Sequence, residues 1–154
     1  IENAAGTGVA DAIAGSSAAN VLRGLGGDDE IAGRGGNDVL VGGRGHDLLQ
    51  GDSGTDRFDF NGLLESVSGA RRDVILDFNN GEGDLIDLRD IDADAGRGGN
   101  QTFDFIGGDS FSGTAGELRF SGGIVAGDVN GDGVADLEIE LSGVGSVFRG
   151  DFLL

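Results

Sequence analysis

The chain has 154 residues, with 28 acidic side chains against ten basic ones, all arginine, for a formal net charge of −18. Charge of that sign repels phosphate backbones and anionic lipid surfaces, which argues against nucleic-acid partners and membrane insertion and in favour of cations. Cysteine is absent, so a disulfide framework and thiol chemistry are excluded, and no apolar run approaches the length of a membrane span.

The 33 glycines, with no proline and no Gly-x-y period, point to many tight backbone positions and not to a collagen-like fibre. The length suits one domain, or two small ones sharing a core. The chain begins at Ile1 and is expected to be a fragment of something larger.

From the N-terminus the sequence advances in steps of nine. Gly24, Gly27, Asp29 and Ile31 are followed by Gly33, Gly36, Asp38 and Leu40, by Gly42, Gly45, Asp47 and Leu49, and by Gly51, Gly54, Asp56 and Phe58. Two units that have lost part of the glycine loop precede them, Gly6 with Asp11 and Ile13, and Gly15 with Asn20 and Leu22. Within a unit, three residues such as Val39, Leu40 and Val41 predict a short strand, and the six before them a turn in which glycine supplies positive φ. Stacked units would bury Ile13, Leu22, Ile31, Leu40, Leu49 and Phe58 as a ladder, which no single unit can do alone.

Stacking also brings every Asp to an equivalent place on the coil edge. Like charges in a row are unfavourable unless something positive lies between them. Asp carboxylates with backbone carbonyls from a glycine-rich turn suit the six to eight oxygen ligands of Ca²⁺, and no His/Cys set exists for zinc or copper. The candidate calcium residues are therefore the glycines and acids of the four full units, together with Asp11 and Asn20. Asn20 brings no charge to its position.

After Phe60 the period stops. All nine Phe lie at position 58 or later, in strand-like stretches "DVILDF", "DLIDL", "QTFDFI", "GELRF" and "DLEIEL". Leu137, Ile139 and Leu141 alternate with Glu138 and Glu140, as in a half-buried strand. The expected fold is all-β: a parallel coil over residues 1–59 and a β-sandwich-like region over 60–154 that caps its open end.

Within the second half, "GDVNGDGVAD" places Asp128, Asn130, Asp132 and Asp136 at alternate positions around Gly133, a second calcium candidate. The twelfth position, where an EF-hand needs Glu, is Ile139, so the stretch is closer to the shorter DxDxDGxxD loops between strands. Asn-Gly and Asp-Gly are also hairpin-turn signals without any metal. The single histidine, His46, sits in a variable loop position and reads as a solvated side chain.

The nonapeptides resemble the GGxGxDxUx units of the RTX (hemolysin-type) proteins, whose calcium-binding units coil into a parallel β-helix or β-roll. With two units per turn, the resemblance implies Asp29 sharing an ion with the loop of Asp47, Asp38 with that of Asp56, Asp11 with that of Asp29, and Asn20 with that of Asp38. The second half, "TDRFDF", "RDVILDF", "GDLIDLRDIDAD", "FSGTAGELRF" and "GDVNGDGVADLEIEL", is similar to the C-terminal domain of the serralysin family of secreted zinc proteases. That family's HExxHxxGxxH helix is absent from this chain. The resemblance also implies that Glu65 joins Asp56 in a further calcium site, and that the terminal "DFLL" is an uncleaved signal for a bacterial type I (ABC) secretion apparatus.

Together these give a secreted, calcium-binding, non-catalytic folding and export module that follows an upstream metalloprotease domain. An enzyme using paired carboxylates finds no support in a chain with no Lys, Tyr or Cys and no nucleophile motif. A third reading is a polysaccharide-binding module like those of alginate epimerases, for which Arg23, Arg34, Arg44 and Arg57 would have to form a basic stripe.

Overall fold

The computed structural model describes residues 3–154. The repeat region forms seven short strands: β1 (Asn3–Ala5), β2 (Ala12–Ala14), β3 (Val21–Gly26), β4 (Glu30–Ala32), β5 (Val39–Arg44), β6 (Leu48–Gln50) and β7 (Arg57–Asp59). Glycine turns send successive strands to opposite sides, so the odd-numbered strands pair in parallel in one sheet and the even-numbered strands in another. Equivalent residues recur every 18 positions, two units per turn of the coil. Val21 faces Val39, and Val39 faces Arg57.

Ile13, Leu22, Ile31, Leu40, Leu49 and Phe58 are buried, one per unit, between the two sheets. Burying an apolar side chain of this size contributes about 1.5–3 kcal/mol, more than a three-residue strand can gain from its own backbone pairing. β3 and β5 extend beyond the predicted three residues because pairing runs on into the turn, with Leu25 opposite Gly43 and Gly26 opposite Arg44.

Both sheets continue past residue 60. β8 (Asp73–Ile75) pairs with β6, and β9 (Leu85–Asp87) with β7, both parallel. Ile75 and Ile86 extend the buried ladder. The second sheet grows further through β13 (Leu137–Leu141), parallel to β8, then β12 (Ile124–Asp128) and β11 (Glu117–Ser121), both antiparallel, and β10 (Asp104–Phe105) at the edge. A 3-10 turn at Arg149–Asp151 leads into β14 (Phe152–Leu153), which closes the first sheet on β9.

The protein is thus an all-β parallel β-roll whose second sheet ends in an antiparallel meander. Phe58, Phe60, Phe78, Phe103 and Phe152 enter the core, and Phe105 and Phe120 pack against it. Phe111 and Phe148 do not. Among the described residues no helix is long and apolar enough to cross a membrane.

Candidate metal centre

Each Asp of the roll is fixed by the turn above it. The backbone N–H of Asp11 donates to Asp29 Oδ1, that of Asn20 to Asp38 Oδ1, that of Asp29 to Asp47 Oδ1 and that of Asp38 to Asp56 Oδ1, all at 2.7–2.8 Å. The row continues where the repeat is no longer visible: Asp47 N–H donates to Asp73 Oδ1, and Asp56 N–H to Asp84 Oδ1, both at 2.9 Å. One oxygen of every carboxylate is thereby held, and the other is aimed by it.

That second oxygen is buried without a hydrogen-bond donor in Asp29, Asp38, Asp47, Asp56 and Asp73. The first glycine of each unit shows where it points. A Cβ on Gly24 would collide with Asp29 Oδ2 and with the carbonyl oxygen of Gly42 one turn on, and a Cβ on Gly33 would meet Asp38 Oδ2 and the Gly51 carbonyl in the same way. Carboxylate and carbonyl oxygens therefore crowd one spot with no donor between them. Gly45 has φ +150° and would clash with the Gly27 carbonyl if it carried a side chain.

Such a group of orphaned oxygens has the chemistry of a hard-cation site, and the residues present fit calcium. Among the described residues no three acidic or histidine side chains converge. Each position instead offers one carboxylate per turn, and backbone carbonyls would complete the shell.

Burial drives the protonation of these groups upward. It outweighs the lowering by the backbone N–H, and neighbouring carboxylates add to it, so Asp47 and Asp56 are each raised to about 6 and Asp73 to about 8. Asp29 and Asp38 are raised for the same first reason.

The ends of the row differ from its middle. Asp11 Oδ2 accepts both the N–H and the hydroxyl of Thr7, and Asn20 Oδ1 accepts the Ser16 N–H. At the other end Asp84 Oδ2 accepts the Asn79 N–H. In these three positions the loop satisfies the side chain itself.

Asp56 was expected to share a site with Glu65; in the structure the Asp56 N–H reaches Asp84, the next position of the row. Glu65 lies in the inserted loop, where its Oε2 accepts the Asn61 N–H at 2.8 Å. The 127–136 stretch is a connection between β12 and β13 closed by its own amides. Asp128 accepts N–H groups from Asn130, Gly131 and Gly133, and Asp136 accepts from the Val129 N–H and the Asn130 side chain. None of its side-chain oxygens is among the buried orphans of the described residues.

Asp73 and Asp84 lie outside the nine-residue frame. The available signal was the Asp-x-Ile of Asp73-Val74-Ile75 and Asp84-Leu85-Ile86, which matches the end of a unit. His46 is half-buried instead of solvated: its N–H donates to Asp28 Oδ1, and its Nδ1 meets the Arg72 carbonyl at 2.5 Å. The four arginines of the supposed stripe occupy different registers, Arg23 opposite Val41, Arg44 opposite Gly26 and Arg57 opposite Val39, with Arg34 in a turn. Arg57 is moreover engaged by Asp59 and Asp87, both at 3.7 Å.

The profile of the Peptidase M10 serralysin C-terminal family matches residues 1–153. The chain belongs to the serralysin C-terminal family. This serralysin C-terminal domain is also similar in fold to a solution structure of a subunit of the Azotobacter vinelandii mannuronan C5-epimerase. The TM-score is 0.66 at 24% identity, over 96% of this chain and 80% of that one. No curated protein matches the chain.

Proposed function

We propose that this serralysin C-terminal domain is a calcium-dependent folding and type I export module, the non-catalytic C-terminal part of a secreted zinc metalloprotease. The observation that carries the reading is the row of buried, donor-less Oδ2 atoms on Asp29, Asp38, Asp47, Asp56 and Asp73, the first four pressed against the glycine turns of the coil edge. Left bare, such a row destabilises the fold through desolvation and mutual repulsion.

Bound calcium supplies the positive charge and oxygen coordination that this row lacks. Asp29 with the loop of Asp47, Asp38 with that of Asp56, Asp47 with Asp73, and Asp56 with Asp84 would hold the ions, their glycine turns presenting carbonyls. Residues 1–59 carry the repeats, and residues 60–154 complete the two sheets and end in the tail that the export apparatus reads. Extracellular calcium modules bind in roughly the 10⁻⁴ to 10⁻³ M range, so the loops stay empty in a low-calcium cytosol and the chain stays exportable. Outside, a site filled to 100 times its dissociation constant adds about 2.7 kcal/mol, and several such sites are enough to fold a marginal chain.

The test is a calorimetric calcium titration of the chelated chain with far-UV circular dichroism in parallel. Cooperative uptake of several ions with gain of β signal is the expected outcome. A chain fully folded in EGTA and indifferent to calcium would overturn the proposal. The polysaccharide-binding alternative draws on the epimerase-like fold but lacks its basic stripe; glycan pull-down with and without calcium tests it separately.

A further inference from the structure

On the outer face of the meander, away from the Asp row, the described residues enclose a groove of about 370 Å³. Ile124 and Ala126 of β12 form its floor, and Phe111 and Val134 are among the residues that line it. Alternation along β11 and β12 places these floor side chains opposite the core residues Leu118 and Val125. Ala126 faces outward yet is only 8% exposed. Phe111 is half-buried and takes no part in the hydrophobic core.

Two charged residues line the groove, Arg119 and Glu138. Glu138 is committed elsewhere, its Oε2 accepting the Gly69 N–H at 2.8 Å and lying 3.5 Å from Arg72. Arg119 has no ion pair or hydrogen bond among the described residues, and its guanidinium carbon stands 5.5 Å over the Phe111 ring. An aromatic face holds a guanidinium plane in place while leaving its N–H fork free. In a chain of net charge −18, this guanidinium is held by Phe111 beside an apolar floor with its N–H groups open to an anionic group.

We infer that this groove binds a small monoanion, a carboxylate on a flat apolar body, with the carboxylate on Arg119 and the body over Ile124 and Ala126 between Phe111 and Val134. The volume lies within the range of small-molecule sites. A guanidinium fork matches a carboxylate bidentately. A phosphate dianion is disfavoured, because one cation beside Glu138 cannot balance it in so acidic a protein.

The test uses the calcium-loaded full chain, with backbone amide shifts followed by NMR during titration with benzoate, benzamide and inorganic phosphate. Benzoate should move the amides of residues 111, 119, 126 and 134, with benzamide weaker by on the order of tenfold because it lacks the charge-assisted pair, and phosphate silent there. Arg119→Gln should bring benzoate down to the level of benzamide, and Ala126→Leu should block both, with far-UV circular dichroism unchanged. Equal binding of benzoate and benzamide, phosphate binding as well as benzoate, undiminished benzoate binding in Arg119→Gln, or no shift at these residues would each overturn the assignment.

Discussion

Asp38 and Asp56 lie 18 residues apart in sequence and one coil turn apart in space, and the Asp38 N–H donates to Asp56 Oδ1 at 2.8 Å. Asp56 Oδ2 remains buried and without a donor. Backbone geometry thus selects one oxygen of each carboxylate for the fold and leaves the other without a donor. Asp38→Asn and Asp47→Asn keep the acceptor but remove the charge. Each should lose one calcium in calorimetry and about 2.7 kcal/mol at 100-fold saturation. Asp11→Asn, whose Oδ2 is already occupied by Thr7, should stay within about 0.5 kcal/mol of the parent. Equal losses at all three positions would show that the orphaned oxygens do not define the sites.

Acid should stabilise the calcium-free fold. An unfolded Asp titrates near pH 3.9, whereas burial raises Asp47 and Asp56 to about 6 and Asp73 to about 8 in the folded chain. A raised folded pKa means that the folded state holds the proton more tightly, so the favourable contribution is complete below about pH 4 and is lost as pH climbs through 6 to 8. Asp87 runs the other way: burial raises it, but the hydrogen-bonded Arg89 outweighs that and lowers it, so its contribution is lost only in strong acid. In EGTA the β signal and thermal midpoint should be higher at pH 5 than at pH 8, while the calcium midpoint moves to higher concentration on acidification. A flat response of both across that range contradicts the assignment.

The roll was legible because its period is nine and its side-chain chemistry repeats with it. The buried ladder from Ile13 to Phe58 follows directly from that period. The row beyond Asp56 was not, because its spacing stretches to 26 residues between Asp47 and Asp73 and 28 between Asp56 and Asp84. Surface loops absorb such insertions at little entropic expense, so the coil continues after the period has vanished. β12, within the glycine-rich stretch "GGIVAGD", carries little apolar pattern of its own and is defined by β11 and β13 on either side. Which oxygens are orphaned is likewise invisible in sequence, since Asp11, Asp29 and Asp84 share a residue type and differ only in what their loops donate.

The second position of each full unit is left-handed, at Leu25, Arg34, Gly43 and Asp52, and Leu25 and Arg34 are the two that strain it most. Leu25 has φ +79° and Arg34 φ +81°, against +96° for Gly43. A side chain there costs about 1–2 kcal/mol, partly offset in a glycine variant by about 0.5–1 kcal/mol of added chain entropy. Leu25→Gly and Arg34→Gly should therefore each gain about 0.5–1 kcal/mol, or a rise of about 1–4 °C in the calcium-loaded thermal midpoint. Leu25 is exposed, so little burial is forfeited. Gly43→Ala should move the other way, because its Cβ would run into the Leu25 carbonyl. A fall in midpoint for both glycine variants would place the strain elsewhere.

The end of the chain is built into the fold. Phe152 is 2% exposed with its ring 5.1 Å from that of Phe105. The Leu88 N–H donates to the Leu153 carbonyl at 2.9 Å, and the Asn80 side chain to Asp151 at 2.6 Å, tying the tail to the loop that carries Asp84. Phe152→Ala should cost about 3–5 kcal/mol. If ions on the Asp row fold the roll, they must also hide the tail, since β14 pairs only with the completed β9. Carboxypeptidase should then remove Leu154 and Leu153 at least about tenfold faster in EGTA than in calcium, following the population of the open form. Equal trimming in the two conditions would mean that the tail opens independently of the row.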